Sequence, residues 1–234
     1  MTHTTTLSLF RFNKPTDRLW AFYMMARARF DLARMPDLKF WKLMGSGIGE
    51  GFTPNPNTAV WAILATWPDE RSARANIDTA PLFKRYQNRA TEHWTIFLQA
   101  TSARGAWSGQ APFEPDATAR PGPLAALTRA TVKPRILPNF WGQVPSISKM
   151  IGADPNVIFK IGVGEVPWLH QVTFSIWPGT EEMAAFARRD GPHAKAIKAV
   201  RDGDWFREEL YARFQIVGDC GAWGGTSPLQ RISQ

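Results

Sequence analysis

The sequence predicts an α+β protein in which one βαββαβ unit occurs twice in tandem and the two copies close into a single barrel. Three observations carry this. Stretches of period-two alternation and stretches of helical spacing follow one another as strand, helix, strand, strand, helix, strand. The same layout then recurs about 110 to 120 residues later. A Pro-rich polar stretch, Gly109 to Pro123, separates the two runs as a linker would.

In the first copy, residues 1–108, Leu7 to Asn13 alternates apolar and polar side chains and reads as a strand stopped by Lys14-Pro15. Asp17 to Arg34 places Leu19, Phe22, Tyr23, Ala26, Phe30 and Ala33 at helical spacing, with Thr16 or Asp17 as N-cap, so these residues are the expected packing face. Leu38 to Met44 is a second strand. The glycines from Gly45 to Gly51, with Pro54 and Pro56, form a hairpin loop. Thr58 to Thr66 is a third strand closed by Trp67-Pro68. Helical segments run from Asp69 towards Thr79 and from Pro81 to Ala90, and Trp94 to Arg104 is the fourth strand.

The second copy, residues 124–234, answers these marks one by one. Lys133-Pro134 matches Lys14-Pro15, and Phe159-Lys160-Ile161 matches Trp41-Lys42-Leu43. Trp177-Pro178 matches Trp67-Pro68, Gly191-Pro192 matches Ala80-Pro81, and Gly221-Ala222-Trp223 matches Gly105-Ala106-Trp107. Each copy is the split βαβ, or ferredoxin-like, unit. Helices cover only one face of such a sheet. Its other apolar face has to be buried, and the second copy is the nearest partner. The expected result is a dimeric α+β barrel made within one chain, with a ligand cavity between the sheets.

Composition narrows the partners. A net charge of +8 suits an anionic surface or an acidic protein, but Lys and Arg are scattered without a run of five, so nucleic acid is not expected. A single cysteine, Cys220, excludes an internal disulfide framework and suits a reducing compartment. The N-terminal MTHTTTLSLF lacks a basic region followed by an apolar one, so no signal peptide is expected. The nearly apolar run Thr58 to Trp67 is about half of the roughly 20 residues a membrane helix needs. A cytoplasmic protein, free or peripheral at a membrane, is the reading. Eleven Trp residues supply core area or line a pocket for a flat or long apolar ligand.

Several chemistries drop out. Gly45-Ser46-Gly47-Ile48-Gly49 follows a strand but leads into Phe52-Thr53-Pro54-Asn55-Pro56. No helix N-terminus follows it to hold a phosphate. Iron-type HxxxH or ExxH pairs, CxxC and a Gly-x-Ser-x-Gly elbow are all missing from the sequence.

Four histidines remain. His193 follows Gly191-Pro192 and opens His193 to Val200, whose small residues leave room around the ring; Leu82 stands at the matching place in the first copy. It is either an imidazole held towards a cavity, as an axial iron ligand requires, or a surface histidine of a first helical turn. His170 begins the strand His170 to Trp177 and shares a face with Val172, Phe174 and Ile176, as a polar group over a site or as a core residue. Arg129 lies on the first strand of the second copy where the first copy has Phe10; it is a buried cation beside a cavity or a surface arginine. Cys220 is a weaker ligand candidate, next to Gly221. His93 reads as a helix-end residue and His3 as part of a frayed terminus.

Five blocks carry a family resemblance: Phe40 to Gly47, Gly49 to Pro54, Leu127 to Thr131, Ile161 to Trp177 with EVPWLHQVTFSIW, and Phe186 to Val200 with DGPHAKAI. Together they resemble the spheroidene monooxygenase family of phototrophic bacteria over nearly the whole chain. The resemblance implies an enzyme that introduces a keto group at C-2 of acyclic carotenoids, in two successive hydroxylations with dioxygen and reducing equivalents. It implies haem b as cofactor, the dimeric α+β barrel architecture shared with haem-binding chlorite dismutases, His193 as axial iron ligand, and Arg129 and His170 as groups near the haem or bound oxygen. A ferredoxin-type electron donor and peripheral contact with the photosynthetic membrane are implied partners. The alternatives are a non-catalytic haem or lipophile carrier on the same barrel, and a cofactor-free barrel monooxygenase or isomerase.

Overall fold

The computed structural model describes residues 2–49, 51, 53–142, 156–188 and 203–232. The strands are β1 (Thr4–Arg11), β2 (Phe40–Gly47), β3 (Pro56–Trp67), β4 (Glu92–Gly105), β5 (Leu124–Val132), β6 (Phe159–Gly164), β7 (His170–Trp177) and β8 (Phe206–Gly221). The helices are α1 (Pro15–Ala33), α2 (Glu70–Thr79), α3 (Pro81–Arg89) and α4 (Thr180–Arg188). Gly45 to Gly47, expected in the hairpin loop, instead complete β2, and the β2–β3 loop follows them. All strand pairings are antiparallel, and the eight strands close in the order β1-β3-β2-β6-β7-β5-β8-β4. Read from β4 and from β8, the two halves have the same internal order, β4-β1-β3-β2 and β8-β5-β7-β6.

The two seams that join the halves differ. Along β4 and β8 the pairing runs from Trp94↔Gly221 to Gly105↔Leu210. Across β2 and β6, among the described residues, the pairs are Gly45↔Gly164 and Ser46↔Val163. Gly51, at φ +90°, brings the β2–β3 loop against the backbone of Gly162, a place with no room for a side chain.

Alternation sorts each strand into two faces. Leu7, Leu9, Met44, Leu64, Ile96, Leu98, Leu127, Ile161, Phe174 and Phe214 point inward and form one buried cluster with residues from all eight strands. This corrects the expected cavity between the sheets: large side chains from both halves interdigitate along the axis and fill it. The linker adds to the filling. Phe113 is buried in the same cluster, with its ring 5.0 Å from that of Phe214, and Arg120 N–H donates to Gln215 Oε1 at 3.0 Å. The linker is polar overall but is pinned to the barrel.

On the outer face of the first half, Phe10, Phe12, Trp61, Ile63, Trp67 and Phe97 pack against α1, α2 and α3. Asp69 caps α2, its carboxylate accepting from Ser72 N–H at 2.7 Å. Helix α1 begins with Pro15 at its first turn, and Lys14, not Thr16 or Asp17, is the N-cap residue. Its packing face is also not the expected one. Ala21, Met24, Ala28 and Leu32 are buried, whereas Leu19, Phe22, Tyr23 and Phe30 are exposed. Small residues let the helix axis approach the sheet, which the bulkier set would have held away.

Candidate functional site at the barrel mouth

At one end of the barrel, where β4, β5 and β6 finish and β2, β7 and β8 begin, the apolar interior gives way to charge. Arg129 follows Ala125 and Leu127 on the inward face of β5, and its guanidinium is buried. Its Nη1 pairs with Glu208 on β8, and its ring-side contact is Trp107, 5.7 Å away. Its buried Nε makes no hydrogen bond among the described residues. Glu208 also accepts from the backbone N–H groups of Ser108, at 3.0 Å, and Gly109, at 2.7 Å. Burial pushes the Glu208 carboxyl up, but those two donors and the Arg129 charge outweigh it and hold the pKa below the ordinary value.

Trp107 plugs the mouth. It is fully buried, and its Nε1–H donates to Glu165 Oε2 at 2.7 Å. The other Glu165 oxygen, Oε1, lies 2.9 Å from Lys42 Nζ, which also donates to Ser108 Oγ at 2.6 Å. Two cations therefore flank one indole, and two carboxylates tie them to the turn after β4. The formal charges cancel, which keeps four ionised groups affordable this close to an apolar core.

His170, first residue of β7, shares the inward face with Val172, Phe174 and Ile176, as alternation required. Its Nδ1 stands 3.6 Å from Glu165 Oε2, too far for a hydrogen bond. Burial lowers its pKa; Glu165 opposes that, while Arg129 and Lys42 reinforce it, so the imidazole is neutral at pH 7. Sequence reasoning thus named two members of this cluster, Arg129 and His170, and the fold brings both to Glu165, Glu208 and Trp107. Those three, and Lys42, were missed. Only the inward parity of Arg129 hinted that a compensating carboxylate was needed. A cavity of about 310 Å³ adjoins the cluster, lined by Phe40, Lys42, Ser108 and Glu165 and by Leu32 of α1.

The remaining candidates separate from this site. His193 lies outside the described residues. Cys220 sits at the exposed end of β8, and its thiol pKa is raised by partial burial and by Asp219. His93 is the second residue of β4, not a helix end. His3 is held rather than frayed: its Nδ1 lies 3.0 Å from Glu114 Oε2 and its ring contacts Lys39. Among the described residues no group of three or more His, Cys, Asp or Glu is placed to hold a metal.

The outer faces of the two halves differ in bulk. Where the first half carries Phe10, Trp61 and Ile63, the second carries Ala126, Thr128, Ala130, Gly162, Thr173 and Ser175, together with Lys160 and Gln171. Helix α4 covers one end of this face through Trp177, Met183 and Phe186, packed on Leu124 and Ala126.

Fold and site together define an eight-stranded antiparallel α+β barrel with a charged, Trp-plugged mouth. An aldoxime dehydratase solved with butyraldoxime has a similar fold, with a TM-score of 0.64 at 10% identity over 98% of this chain and 86% of that one. No family model matches the chain. The chain belongs to the spheroidene monooxygenase family: it is 53% identical to the spheroidene monooxygenase of Cereibacter sphaeroides over 97% of its length and 70% of that protein's. It is 50% identical to that of Rhodobacter capsulatus over 95% of its length and 94% of that protein's. Among the described residues no helix is long and apolar enough to cross a membrane.

Proposed function

We propose that the protein is a carotenoid monooxygenase that introduces a keto group at C-2 of acyclic, spheroidene-type carotenoids by two successive haem-dependent hydroxylations with dioxygen. The observation that carries this is the 53% identity to a spheroidene monooxygenase across almost the entire chain. We read the repeated strand order as two tandem ferredoxin-like units, of which the second serves the cofactor.

The outer face of the second half carries Ala126, Thr128, Ala130 and Thr173, with Lys160 and Gln171 among them, where the first half has Phe10 and Trp61; this lighter face supports our assigning the cofactor to the second half. The segment that holds His193 precedes β8 and rejoins the described chain at Gly203, beside the mouth. His170 turns inward against Glu165 and Cys220 lies at the exposed far end of β8, so we assign the cofactor to neither. In this reading haem b, held by His193, supplies the activation of dioxygen.

The chain's own residues do the rest. Arg129, fixed by Glu208, keeps one buried N–H donor free to hold an oxygen-bearing group. His170, neutral, can accept a proton at Nδ1, and the Glu165 carboxylate 3.6 Å away stabilises the imidazolium that results. Loss of water from the C-2 gem-diol then gives the ketone. The net charge of +8 suits an acidic ferredoxin as electron donor.

The test is to express the chain in cells that accumulate spheroidene and to analyse the pigments by mass spectrometry under labelled dioxygen. The expected product has gained one labelled oxygen in place of two hydrogens. Unchanged spheroidene, in cells where the Rhodobacter capsulatus relative converts it, overturns the proposal and leaves a non-catalytic haem or lipophile carrier.

A further inference from the structure

Helix α1 is apolar on both sides, and only one side is used. Its inward residues Ala21, Met24, Ala28 and Leu32 are at most 3% exposed. On the opposite side Leu19 is 71% exposed, Phe22 64%, Tyr23 59% and Phe30 61%. Exposed Ala26 and Ala33 complete the same row. At 100° per residue these six form one continuous stripe along the whole helix. Isolated exposed apolar residues are ordinary, but an ordered row with two Phe and a Tyr is not.

Charge defines what covers it. The helical rotation puts Arg18 and Arg29 along one flank of the stripe and Arg27 and Arg34 along the other; Arg18 donates from Nε to the Phe12 carbonyl at 2.9 Å, and Arg27 is paired with Asp31. The two carboxylates of α1 turn towards the barrel: Asp17 pairs with Arg89 at 3.1 Å, and Asp31 pairs with Arg27 at 2.9 Å and with Arg85. The outward half of the helix is therefore apolar at its centre, with Arg29 and Arg34 as margin cations that have no acidic partner among the described residues. A second copy docked on the same face would set arginine flanks against arginine flanks.

We infer that this face of α1 seats the protein on an anionic lipid bilayer, with the helix lying in the plane of the interface. Phe22, Phe30 and Leu19 enter the acyl boundary, while the arginines keep their stems in the interface and their guanidinium groups among the phosphates. The inference deepens the carotenoid reading, since it brings the protein to where such a substrate dissolves. Its test needs neither haem nor turnover and so fails or succeeds separately.

The test is cosedimentation of the full chain with vesicles of phosphatidylcholine alone and of phosphatidylcholine mixed equally with phosphatidylglycerol. The wild type is expected to bind the mixed vesicles, less so as salt rises, and the neutral ones weakly. The combined variant Leu19→Gln, Tyr23→Gln, Phe30→Gln should bind at least about tenfold more weakly, because each lost side chain removes buried apolar area. It keeps its far-ultraviolet dichroism and unfolding midpoint, since all three positions are solvent-exposed and Gln is a good helix former. Arg29→Gln with Arg34→Gln should flatten the salt dependence. Wild type that ignores the mixed vesicles, or a combined variant that binds them equally, overturns the inference. So does a wild-type dimer that the combined variant splits into monomers.

Discussion

Arg129 on β5 and Glu208 on β8 form an ion pair at the barrel mouth, in which the arginine side chain is 2% exposed and the glutamate 23%. The pair stitches two neighbouring strands of the second half to the turn after β4, because Glu208 also holds the backbone of Ser108 and Gly109. Glu208→Leu should therefore destabilise the protein by about 3 kcal/mol, since it strands a buried guanidinium. Adding Arg129→Met to it should recover much of that loss. Urea unfolding of the two variants measures both; a double variant no more stable than the single one contradicts the account.

Trp107 offers a graded test of the same mouth. Trp107→Phe keeps most of the ring but deprives Glu165 of its 2.7 Å donor, at a cost of about 1–3 kcal/mol. Trp107→Ala adds a cavity and should cost about 3–5 kcal/mol. Chemical denaturation gives both values, and equal costs would mean that the hydrogen bond contributes nothing.

Stability should fall in mildly acidic solution through His170. Its pKa in the folded protein lies below the ordinary 6.5, mainly because burial disfavours the charged ring. The unfolded chain therefore binds the proton first. The stabilisation is complete above pH 6.5 and is lost as pH falls through the depressed folded value. His93, lowered by burial and Lys84, acts with the same sign. Comparing urea midpoints at pH 7.5 and 5.5, His170→Gln should lose less stability than the wild type; an unchanged difference contradicts the assignment.

Gly51 controls the short seam. A Cβ there would lie 2.0 Å from the carbonyl oxygen of Gly162, and φ +90° is strained for any side chain. Gly51→Ala should cost at least about 1 kcal/mol. Amide exchange should quicken at Gly164 and Val163, which pair with Gly45 and Ser46, before the β4–β8 seam responds.

The strands were legible because period-two alternation is local. His170 to Trp177 was bounded to the residue, whereas Gly45 to Gly47, expected in a loop, continue β2 because glycine does not prevent ladder pairing. The packing face of α1 was misread because both sides of that helix are apolar. The bulkier set, Leu19 to Phe30, looked like core, while Ala21 and Ala28, which let the helix lie close, look unremarkable in sequence. The charged mouth was only half legible. Arg129 and His170 sit on recognisable strands, but Lys42, Trp107, Glu165 and Glu208 are single residues far apart in the chain, joined only by barrel closure. The filled interior could not be read either, since alternation gives an inward face without saying how far the opposite face lies.

The most direct measurement is the absorption spectrum of the purified protein after haem is offered, with His193→Ala alongside. The account predicts a Soret band in the wild type that the variant loses. A band that survives in the variant contradicts His193 as axial ligand, and a wild type that stays colourless contradicts the haem-dependent oxygenase itself.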